Sequence, residues 1–266
     1  MKKYLITLIN KFFSFFNLKL VKGGSYAYLS KLPRSFFLYS AFNQNQKEKV
    51  LKFLEKSKSQ LAQDIFVVAN SDNKKENFFI EFGATDGVTI SNTYLLEKEL
   101  NWKGILVEPA RIWHQNLEKN RSCIIDKRCI YYKSGEKISF LVVQNNQKAE
   151  PGLSSLEEYA ANGDWASNLR LKNSKKEFVE TITLDDLLDF YDAPELIDYM
   201  SVDTEGSEFD ILKSLDFKKR KIKIITVEHN YHKNRRKINY LLEKNGYLRV
   251  HKDFSKFDDW YILKDY

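Results

Sequence analysis

The chain has 266 residues, of which 43% are hydrophobic and 30% charged, and its net charge is +7. This length suits one α/β domain, or one domain with an appendage, and the composition argues against a chain that is disordered throughout. The basic residues are spread along the chain without a long block or a recognisable nucleic-acid-reading module, so no nucleic-acid partner is expected. Cys123 and Cys129 form no CxxC and no zinc-binding spacing with histidine, which favours ordinary thiols in a reducing compartment.

The first twenty residues, MKKYLITLINKFFSFFNLKL, predict an amphipathic helix with a broad aromatic face and lysines at its rim. Asn10 and Lys11 interrupt the apolar run and no small-residue cleavage pattern follows, which argues against a signal peptide or a membrane span. A helix over residues 3–20 could lie in a membrane interface, or it could pack on its own domain or on a second subunit. We therefore expect a cytoplasmic protein, with peripheral contact at the inner membrane face as an alternative.

The remaining elements are predicted in chain order as an N-terminal extension (1–45) followed by one domain (46–266). Residues 22–45 are expected to be irregular and 46–70 helical. Five strands then alternate with helices, at FFIEF, GILVEP, SCIID, IDYMSVD and IKIITVEHN, and YLRVHKDF and DDWYILK form two closing strands. CIYYKSGEKISFLVV predicts a hairpin turning at Ser134-Gly135, and the polar segment 144–178 predicts an irregular lid. The pattern indicates an α/β fold: a doubly wound Rossmann-like sheet, mostly parallel, with a C-terminal antiparallel hairpin.

Acids and glycines follow the predicted strands, at the edge where open α/β sheets bind ligands. The candidate cofactor-binding residues there are Glu81, Phe82, Gly83, Asp86, Gly87, Glu108, Pro109 and Asp203. The first exit lacks the GxGxxG of a dinucleotide site, and its two acids would repel a diphosphate. They suit a cation, and S-adenosylmethionine (SAM) carries an ammonium and a sulfonium group but no phosphate. Glu108 could accept both ribose hydroxyls, although alone it would fit NAD equally well.

Several of these motifs resemble those of the FkbM-type SAM-dependent methyltransferases. The resemblance rests on FIEFGATDG, SNTYLLEK, WKGILVEP, TITLDDLL, IDYMSVDTEGSEFDIL and the stretch from TVEHN to DDWYIL, and it covers roughly residues 77–263. Its most specific signals are ExGxxDG and SVDTEGSExDIL, in that order with an EP between them. The resemblance implies a sheet of the class I SAM-methyltransferase type and, commonly, O-methylation of a hydroxyl on a sugar or another secondary metabolite. It does not choose the acceptor, and it implies nothing for residues 144–178.

Methyl transfer requires an acceptor oxygen to be placed and its proton to be removed. We expect the catalytic residues at the tips of the fourth and fifth strands, where His229, Asp203, Glu205 and Glu228 stand. His229 is the first candidate for the base, because histidine titrates near neutral pH. Asp203 and Glu205 could bind the acceptor or the cofactor's amino group. With His229, and with His232 nearby, they could instead hold a divalent metal, which the pattern allows without predicting.

The acceptor is predicted from the lid. Trp165, Arg170 and Lys172 could stack on a ring and pair with a phosphate, as in a sugar nucleotide or in a capsule or lipooligosaccharide sugar. Two alternatives stay open: an NAD-dependent oxidoreductase on a similar sheet, and a non-catalytic glycan-binding relative. The sequence does not determine the oligomeric state.

Overall fold

The computed structural model describes residues 34–72, 76–144, 151–161 and 163–264, whose strands form two sheets. In chain order the strands are β1 (Phe78–Phe82), β2 (Lys103–Val107), β3 (Ile124–Asp126), β4 (Cys129–Ile130), β5 (Lys137–Val143), β6 (Ser155–Leu156), β7 (Ser174–Ile182), β8 (Leu196–Val202), β9 (Lys221–Glu228), β10 (Tyr247–Val250) and β11 (Asp258–Leu263). The helices are α1 (Arg34–Ser40), α2 (Gln44–Val50), α3 (Gln63–Asn70), α4 (Tyr94–Leu100), α5 (Arg111–Asn120), α6 (Ser167–Asn173), α7 (Leu184–Phe190), α8 (Glu208–Ser214), α9 (Arg235–Lys244) and α10 (Lys252–Ser255). Short helical turns cover Leu51–Phe53, Pro151–Leu153 and Glu157–Tyr159.

The predicted amphipathic helix at residues 3–20 lies outside the described ranges. Within them, no helix combines the length and the apolar character needed to cross a membrane.

The larger sheet of the described residues has seven strands in the order β10-β11-β9-β8-β1-β2-β3. Five neighbouring strands of this sheet run parallel: β9, β8, β1, β2 and β3. β11 lies between β9 and β10 and is antiparallel to both. This arrangement confirms the predicted doubly wound, mostly parallel sheet with a C-terminal antiparallel hairpin. The direction of strand addition reverses between β1 and β8, so the exits of β1, β2, β8 and β9 meet at one edge, where a ligand crevice forms in such sheets.

Helices cover both faces of the larger sheet, which explains why its strands are almost continuously apolar. On one face, Ile80 and Met200 pack in a core with leucines and isoleucines of α7, α8 and α9. On the other face, Phe79, Tyr199 and Trp260 pack with residues of α1 to α4. The described part of the chain before β1 is therefore built into the core of the sheet. The division at residue 45 stays a prediction.

The segment before β1 differs from its prediction, which had an irregular stretch up to residue 45 and then one helix. α1 forms within that stretch, and α2 begins after a capping box between Asn43 and Gln46. The chain then turns before α3, where Ala62 takes a left-handed φ of 68° and the Asp64 carboxylate accepts the Lys58 N–H. Because α2 and α3 bury apolar residues in the same core, the helical spacing of those residues continues across the turn and conceals it.

The smaller sheet, with the order β4-β7-β5-β6 among the described residues, corrects two predictions. β4 and β5 do not form a hairpin, because β4 pairs in parallel with β7 and β5 pairs with β7 in the antiparallel sense. The Gly135 N–H donates to the Thr181 carbonyl, which holds the predicted turn against β7. The predicted lid is therefore not irregular: it contains β6, α6 and the first part of β7, while residues 145–150 and 162 lie outside the description.

Candidate functional site

A cavity of about 510 Å³ lies at the edge where β1, β2, β8 and β9 end. Phe82 and Gly83 of the β1 exit, and Glu108 and Pro109 of the β2 exit, line one side of it. Asp203, Glu205 and Glu228 line the side formed by β8 and β9, and Trp165 and Leu169 of the predicted lid also line the cavity. The structure thus brings together most of the residues predicted at the strand exits.

The β1 exit passes very close to the β8 exit at Gly83. Gly83 has a left-handed φ of 74°, and a Cβ placed on it would lie 2.1 Å from the Asp203 carbonyl oxygen. Its N–H donates to the Val107 carbonyl of β2 at 3.1 Å. Glycine is needed here for both conformation and space, because no side chain fits between the β1 and β8 exits.

The two acids of the β1 exit do not face the large cavity, which corrects the idea that they form the cation site. Glu81 is buried and accepts hydrogen bonds from Ser91 Oγ, Asn92 N and Thr93 Oγ1 at 2.9, 2.6 and 2.5 Å. Its carboxylate also lies 3.7 Å from the Arg121 guanidinium. An acid in an apolar strand does need partners, and here they anchor the start of α4.

Asp86 and Gly87 also serve the loop itself. The Asp86 carboxylate accepts the N–H groups of Val88 and Thr89, which closes a tight turn. Gly87 has a φ of 77°, and a Cβ there would lie 2.6 Å from side-chain atoms of Leu117 and Arg121. Arg121 is a structural residue that the sequence could not single out among 43 lysines and arginines.

Glu108 faces the cavity as predicted. It is buried, and its two carboxylate oxygens accept the Thr85 and Ala110 N–H groups, both at 2.8 Å. Burial raises the pKa of Glu108 to about 7, since the low-dielectric surroundings disfavour the charged form. A carboxylate has about four acceptor positions, so further positions remain for ligand hydroxyls.

Asp203, Glu205 and Glu228 form an acidic cluster in which one carboxylate oxygen from each residue lies within 4.8 Å of the other two. Burial raises the pKa of Asp203 to about 7, with the charges of Asp258 and Glu208 as further causes. Burial also raises the pKa of Glu205 to about 8, with the charge of Asp203 as the next cause. Burial likewise raises the pKa of Glu228 well above its usual range, with Asp203 and Glu205 as further causes. The three oxygens are close enough to hold one divalent cation, or to receive protons from a cationic or hydroxylic ligand.

His229 does not join this cluster, contrary to its predicted places as base and metal ligand. Its buried imidazole accepts the Tyr231 N–H at Nδ1, at 3.0 Å, and places Nε2 3.6 Å from Asp259 Oδ1. Neighbouring residues at a strand end point to opposite sides, so a cavity lined by Glu228 leaves His229 facing away. His232 is engaged locally, since its Nδ1 accepts the Asn234 N–H.

Trp165, Arg170 and Lys172, the lid residues predicted to bind the methyl acceptor, lie in three different environments. Arg170 is fully buried and donates to the Leu153 carbonyl, to the Asp164 carboxylate and to Glu205. It therefore fastens the lid to the β8 exit and does not present a charge to a ligand. Trp165 lines the cavity with 69% of its surface exposed, and Lys172 is exposed.

The segment before β1 also contributes to the site, which the sequence did not indicate. Gln60 lines the cavity, and Ser59 forms an isolated parallel bridge with Ile90 beside it. No feature of the sequence selected Gln60, because it lies in a polar turn within the range predicted to be helical (46–70).

Comparison with known proteins places this site in a family. The crystal structure of a methyltransferase FkbM from Methylobacillus flagellatus KT is 13% identical, with a TM-score of 0.46 over 88% of this chain and 59% of that one. This chain thus spans less than two thirds of that protein. A fibrillarin/Nop5p complex (14% identity, TM-score 0.38, 77% of this chain and 80% of that one) and the Methanococcus jannaschii fibrillarin pre-rRNA processing protein (12%, 0.38, 78% and 75%) also match.

No curated protein matches the chain at a significant level. The sequence model of the Methyltransferase FkbM domain matches residues 81–260, which include every strand exit described above. The chain belongs to the FkbM methyltransferase domain family.

Proposed function

We propose that this protein is a SAM-dependent O-methyltransferase whose acceptor is a hydroxyl group of a carbohydrate. The observation that carries the proposal is the set of ionisable side chains that line the large cavity. Its described lining contains four acids, Glu108, Asp203, Glu205 and Glu228, and no lysine, arginine or histidine. Carboxylates attract a cation and repel a diphosphate, so this cavity favours SAM over a nicotinamide dinucleotide.

The acids at the two sides of the cavity have different tasks in this proposal. When bound, SAM supplies a methyl group that its positively charged sulfur has already activated. Glu108, with two of its acceptor positions held by backbone N–H groups, offers the others to the ribose hydroxyls. The acidic cluster supplies negative charge for the cationic part of the cofactor.

Asp203 and Glu228 are the proposed proton acceptors, in place of His229. One carboxylate oxygen of each lies within 4.8 Å of one oxygen of the other, and the charge of Asp203 raises the pKa of Glu228. A cation bound beside them favours the ionised form and lowers their pKa. Methyl transfer forms the bond between the methyl carbon and the acceptor oxygen and breaks the bond from that carbon to sulfur. The hydroxyl proton moves to the carboxyl pair, which has the acceptor capacity to take it.

Trp165 is the feature that favours a carbohydrate acceptor. Its exposed indole stands at a cavity whose acids can accept hydrogen bonds from sugar hydroxyls. An aromatic face offers a rigid apolar surface for the C–H face of a sugar ring. Arg170 is paired with the Asp164 and Glu205 carboxylates, and the described lining of the cavity contains no lysine, arginine or histidine that could pair with a phosphate. We therefore expect the sugar itself to enter the cavity, and any nucleotide attached to it to remain outside.

The test combines binding with methyl transfer. The purified protein is titrated with S-adenosylhomocysteine (SAH) in a calorimeter, beside the variants Glu108→Ala and Glu228→Gln. Transfer of labelled methyl from SAM is then measured with panels of oligosaccharides, sugar nucleotides, proteins and nucleic acids. His229→Ala is the matched control for Glu228→Gln, since the two residues are adjacent and only Glu228 lines the cavity.

We expect SAH to bind the wild type and to bind Glu108→Ala at least about tenfold more weakly, because a hydrogen-bonded charged partner is lost. Glu228→Gln should keep SAH binding within about threefold while methyl transfer falls by about 10²- to 10⁴-fold, the usual effect of losing a general base. His229→Ala should retain transfer. Absence of SAH binding to the wild type would overturn the cofactor assignment, and label appearing only on protein or nucleic acid would overturn the acceptor class.

A further inference from the structure

The turn at residues 57–63, which leads into α3, contributes one residue to the large cavity. That residue is Gln60, which is exposed and lines the cavity. It lies outside residues 81–260, the range over which the family model matches. Membership of the family therefore does not account for Gln60, and its place at the cavity requires a separate explanation.

Two buried side chains hold this turn in one shape. Asp64 is 0% exposed, and its carboxylate accepts the Lys58 N–H at 3.0 Å. Gln63 is 3% exposed, and its Oε1 accepts the Leu61 N–H at 2.9 Å. Buried groups that are hydrogen-bonded in this way rigidify the segment that they hold. The backbone is thus fixed on both sides of Gln60, as a residue that recognises a ligand requires.

The same turn is attached to two walls of the cavity. Gln63 Nε2 donates to Asp258 Oδ2 at 2.7 Å, and Asp258 directly follows Phe257, which lines the cavity. Ser59 forms the parallel bridge with Ile90, which also lines the cavity. The turn thus joins the loop that follows β1 to the start of β11, and its middle residue lies in the corner between them.

A second carboxamide belongs to this corner. Asn230 lines the cavity just after β9, and its N–H donates to the Phe257 carbonyl at 3.1 Å. We call Gln60, Asn230, Ile90 and Phe257 the amide corner. Gln60 and Asn230 are the two carboxamides of the described lining. A carboxylate only accepts hydrogen bonds, whereas a carboxamide both donates and accepts them, so the amide corner can serve both halves of an amide group in a ligand.

We infer that the amide corner binds an acetamido group of the methyl acceptor, and that Gln60 is a specificity-determining residue for an N-acetylated amino sugar. The inference rests on the proposed carbohydrate acceptor. An acetamido group presents a carbonyl, an N–H and a methyl group. The two carboxamides pair with the carbonyl and the N–H, and the two apolar side chains contact the methyl. The four acids of the cavity would repel a sugar that carries a carboxylate, and a plain hydroxyl would leave the apolar side chains without a partner.

The test compares sugars that differ only at this group. Transfer of labelled methyl from SAM is measured with N-acetylglucosamine and glucose and with N-acetylgalactosamine and galactose, each as its methyl glycoside and as its UDP-sugar. The ratio of kcat/KM values within a pair isolates the acetamido group, and the change of this ratio in Gln60→Ala isolates its coupling to Gln60. SAH titration of each protein reports the cofactor site separately.

Gln115→Ala is the matched control. Gln115 is also an exposed glutamine, and it does not line the cavity. Its replacement should leave the kcat/KM ratios and the affinity for SAH at their wild-type values.

We expect the wild type to prefer the N-acetylated member of at least one pair by about tenfold or more in kcat/KM, because that member gains hydrogen bonds and apolar contact. In Gln60→Ala this preference should fall about two- to tenfold through a higher KM, the usual effect of losing one hydrogen bond. The activity with the hydroxyl sugar and the affinity for SAH should not change.

Equal activity of the wild type with both members of every pair would overturn the inference, whatever the variant does. An unchanged preference in Gln60→Ala would overturn the role of Gln60, and so would a loss of SAH binding in that variant, which would assign the residue to the cofactor. If SAH does not bind the wild type, or if no sugar of either kind accepts the methyl group, it is the proposed function that has failed.

Discussion

Replacing Gly83 by alanine tests the close approach of the β1 and β8 exits, on which the site depends. The φ of Gly83 is +74°, and an added Cβ would lie 2.1 Å from the Asp203 carbonyl oxygen. Left-handed backbone costs a non-glycine residue about 1–2 kcal/mol. The overlap with a backbone atom forces the two loops apart, which adds about 1–3 kcal/mol. We expect Gly83→Ala to lower the free energy of unfolding by about 2–5 kcal/mol in total.

Gly135→Ala separates the two contributions to this loss. Gly135 has nearly the same φ, +75°, but no atom within 4 Å of an added Cβ. This variant should lose only the backbone part, about 1–2 kcal/mol. Urea unfolding followed by circular dichroism gives both values, and SAH titration should show weakened binding only for Gly83→Ala. Equal losses of stability in the two variants would refute the reasoning that contact with the β8 exit constrains position 83.

Three further expectations concern the acids and the lid. Burial raises the pKa of Asp203 and of Asp258 to about 7, so the folded protein keeps protons that the unfolded chain releases above about pH 4. Chemical unfolding should therefore show stability falling as pH rises from about 4 to 7, with a smaller slope in Asp258→Asn; a rising stability would contradict this. Arg170→Gln removes the arginine from two carboxylate partners and should cost about 3–5 kcal/mol. In Arg170→Gln, hydrogen exchange in the described part of the lid should be faster than in the wild type. In Lys172→Gln, which changes an exposed side chain, it should stay at the wild-type rate. Equal exchange rates in the two variants would argue against a role of Arg170 in fastening the lid. Trp165→Ala should change stability by less than about 0.5 kcal/mol and raise the KM of the acceptor, whereas an unchanged KM would exclude stacking.

The sheet could be predicted from the sequence because its signals are local. Runs such as FFIEF and IDYMSV are apolar on both faces, and a parallel sheet covered by helices requires this pattern. The order of these runs, with polar residues at each exit, was enough to place Glu108, Asp203, Glu205 and Glu228 at one edge. The smaller sheet was missed because β4 and β5 both pair with β7, and that choice depends on a partner far along the chain.

The orientation of side chains at the exits required the tertiary structure. The alternation along β9 shows that Glu228 and His229 face opposite sides, but the packing of the helices decides which side holds the cavity. The ion-pair partners of the buried acids are likewise residues far away in the sequence. Glu81 is held by Arg121, and Glu205 by Arg170, which is 35 positions away in sequence.

The sequence by itself determined the fold class, the family resemblance and the set of acids that surround the large cavity. The tertiary structure decided that Glu81 and Arg170 support the site from within and that His229 faces away from it. The physical reason is that strand periodicity and polar exits are local properties of the chain. The satisfaction of a buried charge or carbonyl depends instead on groups that only the complete fold brings into contact.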